Sequence, residues 1–143
     1  MSAHFDLRRI DPDDLPRLQA IDPRLAADPR HSEHIRALLA LGMSWAAQDA
    51  EALIGFAVVS RQFYGYPFVD LLRVSEPARR RGAGSALMAQ CVAAHEADRI
   101  FTSTNESNAP MRALLAKAGW RPAGVIHYLD PGDPELIFVK PRG

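Results

Sequence analysis

The sequence predicts a single α/β (α+β) domain over residues 1–143: a mixed sheet of about seven strands in a three-layer arrangement, with helices on both faces. Three observations predict it. Residues 43–74 hold short apolar runs separated by turn residues, the mark of consecutive hairpins. Residues 68–104 pass from strand to helix to strand, a crossover that joins parallel strands. The length, 143 residues, leaves room for one sizeable core, and 48% apolar with 24% charged residues excludes a disordered chain.

Phe5 to Ile10 reads as the first strand. Asp11-Pro12-Asp13-Asp14 has helix-start chemistry: an acceptor cap, Pro in the first turn and acids near the positive dipole end. That helix carries Leu15, Leu18 and Ile21. A second follows Asp28-Pro29, carries Ile35, Leu38 and Leu39, and stops near Gly42. Met43–Gln48 and Ala52–Gln62 read as strands around Asp49-Ala50-Glu51, and Tyr64-Gly65-Tyr66-Pro67 as a turn. Phe68 to Val74 is the strongest strand signal, apolar enough to predict burial on both faces, with Asp70 and Arg73 as interruptions. From Gly84 a helix places Leu87, Met88, Cys91, Ala94 and His95 on one side. Arg99–Thr104 is a strand, Met111–Ala118 a helix ending at Gly119, and Trp120–Tyr128 and Glu135–Lys140 are final strands. Pro131-Gly132 between them suits a type II turn.

Seventeen basic and seventeen acidic residues give zero net charge, which argues against a dedicated nucleic-acid binder. One cysteine, Cys91, excludes an intrachain disulfide. Neither a leader at Met1–Asp6 nor a long apolar span is visible, so the expected setting is cytoplasmic, with no membrane partner. His31 and His34 share a helix start but lack a third ligand of suitable spacing, so no metal is expected.

The chemistry concentrates in Arg73-Val74-Ser75-Glu76-Pro77-Ala78-Arg79-Arg80-Arg81-Gly82-Ala83-Gly84-Ser85. Four arginines against Glu76 give this strand–loop–helix a local +3. First-turn N–H groups lack intrahelical partners and attract anions, and glycines at 82 and 84 let phosphate oxygens approach backbone. No Gly-Lys-Ser/Thr follows, so it is not a Walker loop; a third glycine is missing, so it is not a dinucleotide fingerprint.

Arg79-Arg80-Arg81-Gly82-Ala83-Gly84 resembles the (Gln/Arg)-x-x-Gly-x-(Gly/Ala) pyrophosphate loop of the GNAT N-acetyltransferase superfamily. Asn108 through Leu115 to Gly119-Trp120 is similar to that family's Asn-x6-Leu-(Tyr)-x3-Gly-Phe segment. The element order matches from residue 5 to 140, as in small bacterial single-domain members. The resemblance implies acetyl-CoA as acyl donor and no metal. Leu72, Arg73 and Val74 would face its pantetheine and thioester, Arg79 to Ser85 (Arg80, Arg81, Gly82, Ala83 and Gly84 between them) its pyrophosphate, and Asn108 its pantetheine arm. Strands 68–74 and 99–104 would splay to leave a slot. Two-fold homodimers are common in the family.

Amine acetylation needs a neutral amine, a donor for the developing oxyanion and a leaving thiolate. Many family members protonate the thiolate from a Tyr, and Leu115 stands in that place. Tyr128, Ser103 and Tyr64 are the substitute acids. Asp70 is the favoured base, two residues from Leu72 and so expected on its face, with His127, Asp133 and Glu135 as alternatives. Asp133 also reads as a turn residue. Tyr64 and Tyr66 either close a hairpin or wall the acceptor pocket. Asp70, Asp133 and Glu135 point to a small cationic amine as acceptor. A protein N-terminus or lysine is the second reading, and a non-catalytic acyl-CoA-binding regulatory module the third.

Overall fold

Three Asp-Pro pairs start the helical segments of the first third of the chain. In the computed structural model, which describes residues 4–142, β1 (Asp6–Arg9) leads to a single 3-10 turn at Pro12–Asp14 and then α1 (Leu15–Ile21). Asp11 accepts from Asp13 N at 2.9 Å while Asp14 reaches back to Asp11 N at 3.0 Å, a reciprocal cap. Asp22 and Asp28 cap α2 (Pro23–Ala27) and α3 (Pro29–Leu39) through their side chains. The sequence reading ran one helix through residues 15–21 and missed α2, although Asp22-Pro23 repeats the signal used at Asp28-Pro29. Of the segment read for a leader, Met1, Ser2 and Ala3 lie outside the described residues.

β2 (Trp45–Asp49), β3 (Ala52–Phe63) and β4 (Tyr66–Val74) form antiparallel hairpins. Tyr64 and Gly65 both take positive φ (55° and 83°), the two-residue loop that matches strand twist. α4 (Ala83–Ala94) crosses over to β5 (Arg99–Asn105), which runs parallel to β4. α5 (Ala109–Lys117), β6 (Arg121–Ile126) and β7 (Glu135–Pro141) complete the described fold. The sheet order is β1-β2-β3-β4-β5-β7-β6, so β7 inserts between β5 and β6.

Alternation along β3 divides the core. Ala57 and Val59 face α4, in a cluster with Leu87, Met88, Cys91, Leu115 and Trp120. Phe56 and Val58 face Leu15, Leu18, Leu25, Ile35 and Leu39 of the first three helices. β4 departs from the expected burial on both faces. Pro67, Val69 and Leu71 are buried, whereas Phe68, Asp70 and Leu72 are half-open. For Asp70 and Leu72 the cause is β5, which leaves β4 after two residue pairs and uncovers a cleft.

Candidate active site

The parallel pairing of β4 and β5 covers only Phe68↔Phe101 and Val69↔Thr102. The Thr102 hydroxyl donates to the Val69 carbonyl at 2.9 Å and closes the last rung. Beyond it the strands part, as the family resemblance implied. The resulting cleft, about 600 Å³, is lined by Asp70 to Val74 on one side and Thr102 to Asn105 on the other. Backbone groups along this gap lack ladder partners from the neighbouring strand, so a ligand or water must satisfy them.

A bulge sits at the mouth. Val58 pairs with Leu71 and Val59 with Val69, so Asp70 is the extra residue of β4. The expected shared face of Asp70 and Leu72 is therefore corrected. Leu72 packs toward the α4 side, while Asp70 turns toward Ser60 of β3 and His34 of α3. Nor does Asp70 pair with Arg73, whose guanidinium Nε donates to Asp22 at 3.2 Å and whose Nη1 donates to the Leu72 carbonyl at 2.9 Å. Burial pushes the Asp70 carboxyl up from its ordinary value, and the Ser60 hydroxyl and His34 offset this only in part. Its Oδ1 is shut from solvent without a hydrogen-bond partner among the described residues.

The anion cradle lies at the start of α4. Gly82 caps the helix at φ 83°, a conformation that costs a side chain but not glycine. The first helical bond runs from Ala86 N to Gly82 O at 3.0 Å, so the N–H groups of Ala83, Gly84 and Ser85 precede the ladder and stay open. Gly84 has a second duty: a Cβ there would stand 3.2 Å from Leu114 Cδ1, so its absence lets α4 approach α5. A groove of about 600 Å³ runs along Leu72, Val74, Arg79, Arg80 and residues 82–85. It shares Leu72, Arg73, Val74, Arg79, Asn108 and Met111 with the cleft, so cradle and cleft are continuous. Asn108 lines this groove and caps α5 by accepting from Met111 N at 3.2 Å, which leaves its amide NH2 uncommitted to the cap. Arg81 does not line it. Arg80 takes φ 73°, and Arg81 turns away to Asp49 and the His4 carbonyl, each at 3.0 Å.

Of the other expected residues, the cleft gathers Ser103 and Glu135. The Ser103 hydroxyl donates to Glu135 Oε2 at 2.6 Å, across the β5–β7 pairing. Tyr128 is 99% exposed in the β6–β7 loop and lines a separate depression with His127. Asp133 clasps Ser107 through its N–H (3.0 Å) and hydroxyl (2.6 Å), the turn role rather than a substrate contact. Tyr64 and Tyr66 sit at the β3–β4 hairpin tip against Phe63 and Phe101 and line neither cavity. Leu115 is fully buried, and the Cys91 thiol is pushed up to about 12 by burial, so neither offers a proton or a nucleophile. Arg24 of α2, which sequence reasoning overlooked, lines the cleft. Among the described residues, no group of three or more His, Cys, Asp or Glu is placed to hold a metal ion, and no helix is long and apolar enough to cross a membrane.

Residues 7–120 match the family model described as the acetyltransferase (GNAT) family. A GNAT-family acetyltransferase from Bacillus cereus superposes with a TM-score of 0.89 at 28% identity, over 98% of this chain and 99% of that one. The ribosomal-protein-S18-alanine N-acetyltransferase of Escherichia coli superposes at 0.83 with 17% identity, covering 98% and 95%. The diaminobutyrate acetyltransferase of Paenibacillus lautus, solved with L-2,4-diaminobutyric acid and coenzyme A, does so at 0.77 with 19% identity, covering 97% and 95%. No curated protein matches the chain.

Proposed function

The chain belongs to the GNAT acetyltransferase family, and from that premise we propose that, as one domain over residues 1–143, it moves an acetyl group from acetyl-CoA to the primary amine of a small molecule. The observation that carries the reading is the continuity of the α4 cradle with the cleft at Asp70.

The residues present fit the donor. Open N–H groups at Ala83 to Ser85, a left-handed Gly82 and the Arg79 and Arg80 side chains suit a pyrophosphate. β4 pairs with β3 but not with β5 at Leu72 to Val74, so its free edge there (the Leu72 carbonyl, which Arg73 occupies, excepted) and the Asn108 amide suit a pantetheine arm. When bound, acetyl-CoA supplies a thioester carbonyl open to amine attack and a thiol as leaving group.

Asp70 takes the proton that the amine sheds, a task that its burial, which raises its affinity for protons, favours. Glu135 holds the cationic acceptor, with its orientation fixed by Ser103. Ser103 is the candidate acid that lines the cleft, but its proton is directed to Glu135. It serves as a proton source only after leaving that bond. A thiolate is a tolerable leaving group, so the buried Leu115 in the usual tyrosine place does not forbid turnover.

Thiol release from acetyl-CoA across a panel of amines tests the reading. Tight CoA binding without release for any amine would favour a non-catalytic acyl-CoA-binding module instead. A peptide acceptor is the second reading, supported by the exposed Tyr128 and Leu129 beside the β6–β7 depression. Release with peptide amines alone would select it. Cytoplasmic action and a homodimer belong to the same proposal, and sedimentation tests the latter.

A further inference from the structure

The charges of the cleft are unevenly distributed once their internal pairs are set aside. Six charged side chains line it: Asp22, Arg24, Asp70, Arg73, Arg79 and Glu135. Asp22 and Arg73 bind each other at 3.2 Å. Arg79 also lines the α4 groove and stands 3.9 Å from Glu76. Three remain: Asp70 and Glu135 on the strand side, and Arg24, an exposed residue, at the α2 rim. Among the described residues, the Arg24 side chain makes no hydrogen bond or ion pair.

The backbone of Arg24 is fixed, and its side chain extends from that anchor. Its N–H donates to Asp22 Oδ1 at 3.1 Å, and the other oxygen of that carboxylate takes Arg73 Nε at 3.2 Å. Asp22 is 5% exposed, so this latch is shielded from water. It ties the first turn of α2 to β4, the strand that carries Asp70. A cation mounted so would repel an acceptor that carries only positive charge. It would attract one with an anionic group beside the amine, since a guanidinium meets a carboxylate with two parallel bonds.

We propose that the acceptor is an amino acid, whose carboxylate pairs with Arg24 while the amine to be acetylated turns to Asp70. The inference rests on the acetyltransfer reading above and narrows its substrate class from cationic amines to amines that bear a carboxylate.

Acceptors matched except for the carboxylate test it: amino acids against the corresponding amides and decarboxylated amines, assayed by thiol release with wild type, Arg24→Gln and Arg24→Lys. For wild type, kcat/KM is expected to be at least about tenfold higher for the carboxylate member of each pair, the worth of one charge-assisted contact. In Arg24→Gln that ratio falls close to one, chiefly through KM, and Arg24→Lys keeps part of it. Circular dichroism and CoA titration check that the variants fold and bind donor. Equal or better turnover of carboxylate-free amines by wild type overturns the inference and leaves acetyltransfer standing, as does a ratio untouched by Arg24→Gln. Release with no amine, while CoA still binds, overturns both.

Discussion

Asp70→Asn should make the protein slower and more stable at once. In the folded chain Asp70 Oδ1 is cut off from solvent with no partner among the described residues. Leaving a buried polar atom unsatisfied costs about 1–3 kcal/mol, and more for a charge. The substitution keeps the shape and drops the charge, but the new amide meets the same sparse surroundings, so only about half of that cost is recovered, about 0.5–1.5 kcal/mol. For a domain of this size ~1 kcal/mol moves Tm by roughly 3–5 °C, so a rise of about 2–6 °C is expected near neutral pH. The sign follows from linkage. Asp70 holds its proton more tightly folded than unfolded. Wild type therefore loses stability relative to the Asp70→Asn variant as pH rises from the ordinary carboxylate value, about 3.9, through the raised folded value, and the gap closes below both. Loss of a general base should lower kcat/KM by about 10²–10⁴-fold and remove the acidic limb of the pH–rate profile. Thermal melts over a pH series and a thiol-release assay read the two effects separately. A variant that melts at or below wild type near neutral pH, or that keeps the wild-type pH–rate profile, would refute the reasoning.

Gly82→Val places a β-branched residue at φ 83°, where a Cβ meets nothing within 4 Å, so the cost is backbone strain alone, about 1–2 kcal/mol. Relief of that strain moves the loop and displaces the open N–H groups, so CoA affinity should fall about tenfold or more by calorimetry, the worth of one charge-assisted contact; an unchanged affinity would remove the loop from the donor site. Ser103→Ala deletes the 2.6 Å donor to Glu135 and should lower kcat/KM for the acceptor about tenfold, the worth of one such bond, with CoA binding preserved. No change in steady-state kinetics would sink the pair as part of the site. Asp14 is pushed up by burial, but the Arg8 bonds at 2.9 and 3.3 Å and the Asp11 N–H more than reverse this and hold it below its usual value. Its contribution is thus present above the unfolded carboxylate range and lost as pH falls through the folded value. Asp14→Asn should cost about 1 kcal/mol at neutral pH and nothing in strong acid, which urea titrations at two pH values decide.

The α4 cradle was legible because local chemistry specifies it: Gly82 occupies a left-handed cap that other residues resist, and an open helix start follows. Cys91 was legible as core for a similarly local reason, its helical spacing with Leu87 and Met88. The position of Asp70 was not. A bulge is a relation between two strands, and residues 66–74 alone carry only the i, i+2 parity that β3 then breaks. The Ser103–Glu135 bond was hidden for a related cause, since it needs β7 beside β5 rather than beyond β6. Arg79, Arg80 and Arg81 look alike in a row, and the positive φ of Arg80 is what sends Arg81 to Asp49. Tyr128 and Asp133 lie away from the cleft because the reach of a loop is set by the elements it joins, not by its composition.

The extra residue in β4 explains two features that the chain could have acquired separately. A bulge increases local twist, and here it falls at Asp70, directly after the last rung at Val69↔Thr102. So the residue that lets β4 swing away from β5 is also the one whose carboxylate is turned toward Ser60 and the α3 side. Opening a central parallel pair would ordinarily expose backbone on both strands. The structure limits the damage at the hinge, where Thr102 caps the Val69 carbonyl and Arg73 caps that of Leu72. Both faces beside the gap are then secured by independent clusters, one under α4 and α5, the other under the first three helices. Each fully buried Leu of these clusters contributes roughly 1.5–3 kcal/mol, comparable to one unpaired buried carboxylate oxygen or a few lost ladder bonds. The sheet can therefore carry an open centre and an unpartnered acid together. Both depend on one inserted residue, so the Asp70 carboxylate and the cleft are coupled by backbone geometry and not only by their proximity.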